Sequence, residues 1–406
     1  MKIRIISVTA LIMSYLAPIK AESEVDFSAV TGLEARLFAE TATFGQDDAG
    51  GSVYSELEWY FKFENSSVTL KPFFRYDSMD DNRTHVDLRE AYWQTVGDEW
   101  SLTVGVNKVF WGVAETSHLV DIINQTDAVE NIDGEDKLGQ PMLNFNLEKS
   151  WGTLAFYILP KFRERTFASD EGRLRLELVV NDEIANYESS DEDEHIDFAV
   201  RYSTFVDVWD IGFSYFNGTS RDPLFEVDFL NSELIPFYPL IEQVGIDAQA
   251  TVDEWLWKLE YINRSGFNLP GSTSSSYSAA VFGFEYSSYG VFDSPMDLGW
   301  IFEYQYDERD AFGSGSFNID ISDVIVAGAR LTFNDVQSTS LLTGLGYETD
   351  GDATFLSIEG SRRIGDDMKL SVEGRVFHNI SKDFAETFFF SYRNDSFIQI
   401  NFEKFF

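Results

Sequence analysis

From residue 25 to the C-terminal Phe406 the chain repeats one theme, in which about ten residues alternate between apolar and polar and then give way to a tight turn or a longer polar segment. The last run shows the pattern most plainly. Ile398, Ile400, Phe402 and Phe406 point one way and Gln399, Asn401 and Glu403 the other, the period of two of a strand with lipid on one side and water on the other. Lys404 falls among the lipid-facing set, at an end where its long stem carries the ammonium group to the headgroup layer. Counting such runs predicts about 18 strands, or about 16 if two weaker runs belong to loops. The fold class expected is all-β, a transmembrane antiparallel up-and-down β-barrel, and an even count returns both termini to the periplasmic side.

The connections separate into two kinds. Short ones place acids or small polar residues before a bulky apolar one: Gly97-Asp98-Glu99-Trp100, Lys149-Ser150-Trp151, Asp207-Val208-Trp209, Asp253-Glu254-Trp255 and Gly365-Asp366-Asp367-Met368. Their repeated Trp is expected to form an aromatic girdle at one membrane interface, where an amphipathic indole is favoured. Longer connections, including residues 111–141, 160–193 and 218–241, fall on the opposite side. The run Phe388-Phe389-Phe390 within 386–392 is assigned to a loop, because as a strand it makes the count odd.

Composition supports export to a membrane. Basic Met1-Lys2-Ile3-Arg4, an apolar stretch from Ile5 to Leu16 and the small Ala21 read as a signal peptide over residues 1–21, leaving one barrel domain over 22–406. No later segment has the uninterrupted apolar length of a membrane helix, yet 16% of residues are aromatic, 37 of them Phe, as interfacial girdles require. Cysteine is absent, which removes disulfides and thiolate metal sites. With 30 Lys and Arg against 69 Asp and Glu, the net charge of -39 makes nucleic acid a very poor partner.

Strand parity also predicts charges inside the barrel. Lys258, Glu260 and Arg264 alternate with outward Trp255, Trp257, Leu259 and Tyr261; Asp197 and Arg201 share the inward side of their strand, as do Lys369, Glu373 and Arg375. An Arg or Lys on the lipid face costs about 2–4 kcal/mol at the midplane, so this parity assigns them to the lumen wall, where they either face a solute or pair with one another. Residues 111–141 form the most individual loop. Thr116 or Ser117 is placed to cap a short helix, to which Leu119, Val120, Ile122 and Ile123 give an apolar side. Its acids are Glu115, Asp121, Asp127, Glu130, Asp133, Glu135 and Asp136.

Other chemistry is weakly signalled. The segment Asp133-Gly134-Glu135-Asp136-Lys137 lacks EF-hand spacing, and the acids from Asp182 to Glu194 read as a solvated loop. Lys161, Arg163, Arg165, Arg173 and Arg175 form a basic cluster that either meets an anionic solute or lipopolysaccharide phosphates, or neutralises those acids. The four His, His85, His118, His195 and His378, lie in no hydrolase or metalloprotease motif, and neither an enzymatic role nor a metal or other cofactor is expected.

The signal peptide, the alternating strands, the terminal aromatic and the third-loop layout together resemble Gram-negative outer-membrane porins and porin-like barrels across the mature chain. Segments such as Lys108-Val109-Phe110-Trp111-Gly112 and Trp257-Lys258-Leu259-Glu260 look like those of a poorly characterised proteobacterial subfamily with no settled substrate. The resemblance implies an outer-membrane location and passive or selective passage of small hydrophilic solutes, with a non-conducting receptor or a barrel plugged by its loops as the alternative. It further implies that the 111–141 loop folds inward, setting its seven acids near a constriction that disfavours anions unless inward Arg and Lys of the wall face them across the opening. Phe402 and Phe406 then belong to the C-terminal signal read by the barrel-assembly machinery, and the partners are outer-membrane lipid and lipopolysaccharide. Association between copies is left open.

Overall fold

The computed structural model describes residues 24–269, 276–309, 323–349, 353–380 and 388–406; the expected signal peptide lies outside them. Eighteen antiparallel strands form one sheet, each paired to its sequence neighbour in the wall, and the first, Glu24–Phe38, pairs with the last, Phe397–Phe405, to close it. The sheet is therefore an up-and-down barrel with no free edge. The seam runs from Phe38 beside Phe397 to Val30 beside Phe405, and beyond it the Phe406 amide donates to the Ala29 carbonyl at 2.9 Å.

The alternation read from the sequence becomes two different surfaces. On Trp255–Ser265, Trp255, Leu259 and Tyr261 are exposed outside while Lys258, Glu260 and Arg264 are buried inside. Phe397–Phe405 repeats this, with Ile398, Ile400 and Phe402 exposed and Gln399 buried. An outer wall with Val, Leu, Ile and aromatic side chains on strand after strand suits hydrocarbon, because a closed sheet pairs its backbone polar groups between strands and leaves no edge.

Short turns, the start of the first strand at Glu24 and the C-terminal Phe406 share one end. The turns after Val206 and Val252 are two residues long, and Asp207 and Asp253 adopt left-handed φ of 57° and 52°, which a short polar side chain tolerates and a β-branched one resists. Trp100, Trp151, Trp209 and Trp255 stand exposed at this end. The opposite end carries the long loops, and two of them fold together. Val179–Val180 and Asn186–Tyr187 add in parallel to the hairpin of Leu224–Asp228 and Glu233–Tyr238, making a small four-stranded sheet. Val180, Phe225 and Leu234 form its core, with Phe167, Leu176, Leu178 and Val227 packed on it. Phe388–Tyr392 is a short 3-10 turn outside the wall, as the even strand count requires.

Candidate functional site: the lumen and the loop inside it

Residues 108–139, which join Trp100–Asn107 to Gln140–Lys149, fold into the barrel. The helix expected near residue 116 does not form. The segment is irregular, and its one bridge pairs Thr126 with Lys137. Trp111, Val120, Ile122 and Ile123 pack instead on inward side chains of the wall, among them Tyr157, Phe216, Ile241, Ile262 and Ala279. The backbone amides that a helix would satisfy find carboxylates. Glu260 Oε1 accepts from Val113 at 2.7 Å and Ala114 at 2.9 Å, and Oε2 accepts from Val120 at 3.2 Å. Glu303 accepts from Glu115 at 2.6 Å, from Thr116 at 3.0 Å and from the Thr116 hydroxyl. Asp121 closes the base of the loop by accepting from Trp111 at 2.5 Å and Gly112 at 3.0 Å. Fixed carboxylates thus outcompete the helical ladder for these donors.

The seven loop acids divide into groups. Asp121 is spent on the loop's own backbone. Asp127 and Glu130 are buried against arginines: Asp127 accepts from Arg89 at 2.6 Å and from the Thr166 hydroxyl at 2.7 Å, and Glu130 receives Arg75 through two bonds of 3.0 and 2.7 Å. Glu115, Asp133 and Glu135 line an open cavity. Asp136 stays solvent-accessible, but enclosure by the barrel, reinforced by the nearby Glu130 and Asp133 charges and only partly offset by Arg89, pushes its carboxyl up to about 6.

Most of the wall charges are paired. Asp197 accepts from Arg221 at 2.6 Å and from the Thr219 amide at 2.9 Å, Arg201 makes a two-pronged pair with Asp247 at 2.5 and 2.7 Å, and Arg264 reaches Gln243 and Asp222, both at 2.8 Å. Lys258 pairs with Glu285 and lies 3.6 Å from Glu115, which Arg330 also contacts. Glu373 and Arg375 meet at 2.8 Å, and Arg375 extends to Glu359 at 3.0 Å and Asp133 at 3.2 Å, tying wall to loop. From the basic cluster, Arg163 is held by Asp87, Arg165 by Asp222 and Arg173 by Asp48 and Asp395, while Arg175 donates to the Leu176 and Glu177 carbonyls.

A second network was not anticipated. Glu34 bridges Arg75 and Arg83, Arg83 also meets Asp77, and this chain of buried charges joins Asp127 and Glu130 through Arg75 and Arg89. His85 Nε2 lies 3.4 Å from Glu130 and 3.9 Å from Asp127, the one such grouping of possible metal ligands among the described residues. Both carboxylates are committed to guanidinium groups, so a metal ion there would meet positive charge, and the donor set does not fit one.

The loop occupies one side of the lumen and leaves the other. Between it and the strands Asp297–Asp307, Val324–Thr332, Ser340–Glu348, Thr354–Ile364 and Met368–His378 lies a cavity of about 600 Å³. Its charged lining comprises Glu115, Asp133, Glu135, Glu348 and Glu359 against Arg375, with the His118 Nε2–H donating to the Glu135 carboxylate at 2.9 Å. Glu303 and Glu359, absent from the sequence-based set, stand at inward parity beside outward Phe302, Tyr304 and Ile358, a signal the alternation already carried.

No family model matches the chain, and no curated protein matches it in sequence. Solved structures do match the barrel. OccAB3 of Acinetobacter baumannii superposes with a TM-score of 0.56 at 9% identity, covering 94% of this chain and 99% of its own. OccK3 of Pseudomonas aeruginosa gives 0.54 at 9% identity over 94% and 96%. The fold is that of Gram-negative outer-membrane porins. Wzi of Escherichia coli, a carbohydrate-binding β-barrel involved in capsule assembly, shares this architecture at a TM-score of 0.52 and 11% identity, covering 97% of this chain and 86% of its own.

Proposed function

We propose that the porin-like barrel is an outer-membrane channel for small hydrophilic solutes, with its turns and termini in the periplasm and its passage confined to the side of the lumen that the 108–139 loop leaves open. One observation carries the reading. The loop is fastened to the wall by Glu260 and Glu303, so the remaining space is a one-sided cavity of about 600 Å³ rather than a sealed core. Barrels of about 16–18 strands have room for an aqueous path, whereas those of about eight are filled by side chains. Among the described residues, five acids line the cavity against Arg375, with Lys258 and Arg330 reaching Glu115, and this excess of acid favours cations over anions. The plugged-barrel alternative predicts purified protein that inserts into a planar bilayer without discrete conductance steps.

Two further expectations follow from this reading. With Asp136 titrating near 6, its charge is present at pH 7 and lost as the pH falls, so cation preference measured by reversal potential should decline between pH 7 and pH 5. An Asp136→Asn channel should lose part of that pH dependence, with the Asp133 carboxyl, also raised by burial, carrying the rest, and an unchanged profile in the variant would detach it from Asp136. At the seam, the Phe406→Asp variant should be exported normally but reach the outer membrane at reduced level, because Phe406 pairs with Ala29 where the barrel closes and belongs to the segment the assembly machinery is proposed to read. Fractionation with immunoblotting checks this, and wild-type outer-membrane levels would remove the role.

A further inference from the structure

The open side of the lumen is not lined like a path for inorganic ions alone. Strand register maps its wall in rows. One row runs Ile301, Gly328, Gly344, Ser357, Arg375 across five strands, and the next runs Glu303, Val326, Gly346, Phe355, Phe377. Gly328 and Gly344 stand side by side, so the wall is hollowed into a shallow trough at mid-height. Gly344 has open space where a side chain would begin. At Gly346 the position is filled by the ring of Phe355, which lies across that glycine, and a Cβ there would collide with it. Val324, Val326, Leu342 and Ile301 extend the apolar surface, and Ile132 meets it from the loop. Opposite stand the carboxylates of Glu115, Asp133 and Glu135, with Glu359 at the trough's lower edge.

This combination discriminates between solutes. An inorganic cation gains from the acids but nothing from the trough. A sugar calls for interleaved donors and acceptors along its ring, and the described lining is rich in carboxylate acceptors but supplies one amide side chain, Gln305, whose N–H donates to Thr116. A carboxylate solute meets a single arginine that is already held by Glu359, Glu373 and Asp133. A solute with a flat or extended apolar body and one ammonium group satisfies both surfaces: the body fills the trough on Val326, Gly344 and Phe355, and the ammonium meets the ring face and carboxylates whose excess charge survives their pairing, since Glu115 shares Lys258 and Arg330 with Glu285, and Asp133 and Glu359 share Arg375 with Glu373. We propose, resting on the channel reading above, that this cavity is a binding subsite for amphiphilic organic cations, arylalkyl or alkyl ammonium compounds, within the permeation path.

The test uses the full-length barrel in a planar bilayer, with benzylammonium as probe and ammonium and benzoate as controls. Benzylammonium should interrupt the current in a concentration-dependent way, while ammonium only carries it and benzoate does neither. Glu359→Gln and Phe355→Ala should each weaken the block roughly tenfold. Gly344→Leu, whose Cβ starts in open space within the trough, should abolish the block and narrow the path, and the heat-dependent gel shift of each variant reports that it has folded. Equal block by benzoate, or benzylammonium indistinguishable from ammonium in a conducting channel, overturns the subsite and leaves the channel standing. If the barrel does not conduct, the channel reading fails instead, and titration calorimetry of benzylammonium into detergent-purified protein decides the subsite: heat that is lost in Gly344→Leu supports it, and no heat refutes it.

Discussion

Replacing Glu260 with Ala should raise the mean conductance of the barrel and make its current noisy. Glu260 receives three loop amides inside the wall, and each hydrogen bond to a charged group contributes about 1.5–3 kcal/mol, so the substitution releases a large share of what pins residues 113–120. Since about 1.4 kcal/mol is a factor of ten, the loop should leave the wall at least tenfold more often. The Glu260→Gln variant keeps one acceptor oxygen and should lie between the two. Combining Glu260→Ala with Glu303→Ala, which frees Glu115 and Thr116 as well, should exceed either alone. Single-channel recording measures the four variants beside the wild type, and wild-type conductance in the double variant would show that the hydrophobic contacts of Val120, Ile122 and Ile123 hold the loop without help.

The second large effect concerns stability. Glu34→Ala should lower the temperature at which the folded barrel converts to its unfolded gel form, with a loss of about 3–5 kcal/mol. Glu34 is buried and receives both Arg75 and Arg83, and its removal takes the shared counterion from two buried guanidinium groups, leaving Arg75 with Glu130 and Arg83 with Asp77. The comparison is Glu99→Ala on an exposed turn, whose pair with Lys149 is open to solvent and should contribute no more than about 1 kcal/mol. Equal shifts in the two variants would mean that the buried network is not a special source of stability.

These two predictions mark the boundary of what the sequence discloses. Strands and their inward faces are local, period-two patterns, so the barrel, the turn tryptophans and the inward set Lys258, Glu260 and Arg264 are readable from neighbouring residues alone. The loop is not local. Leu119, Val120, Ile122 and Ile123 have helical spacing, but what decides their conformation lies about 140 to 190 residues further on, in Glu260 and Glu303. The long loops carry apolar pieces that point to folded caps, but the docking of the hairpin at Leu224–Asp228 and Glu233–Tyr238 is not local either, since its core includes Val180 and is flanked by Phe167, both from the preceding long loop. Acid positions were legible, but their partners were not: nothing near Asp127 or Glu130 in sequence announces Arg89 or Arg75, which turn two expected pore acids into buried counterions.

Planar-bilayer recording of the purified wild-type barrel beside a form in which residues 115–136 are replaced by a short Gly-Ser linker tests the central claim most directly. Discrete conductance steps in the wild type, a reversal potential displaced toward cations in a salt gradient, and a larger step in the loop-replaced form are the result predicted from a loop that narrows an acidic passage on one side of the lumen. The absence of steps in both forms, or steps of equal size in the two, would contradict it.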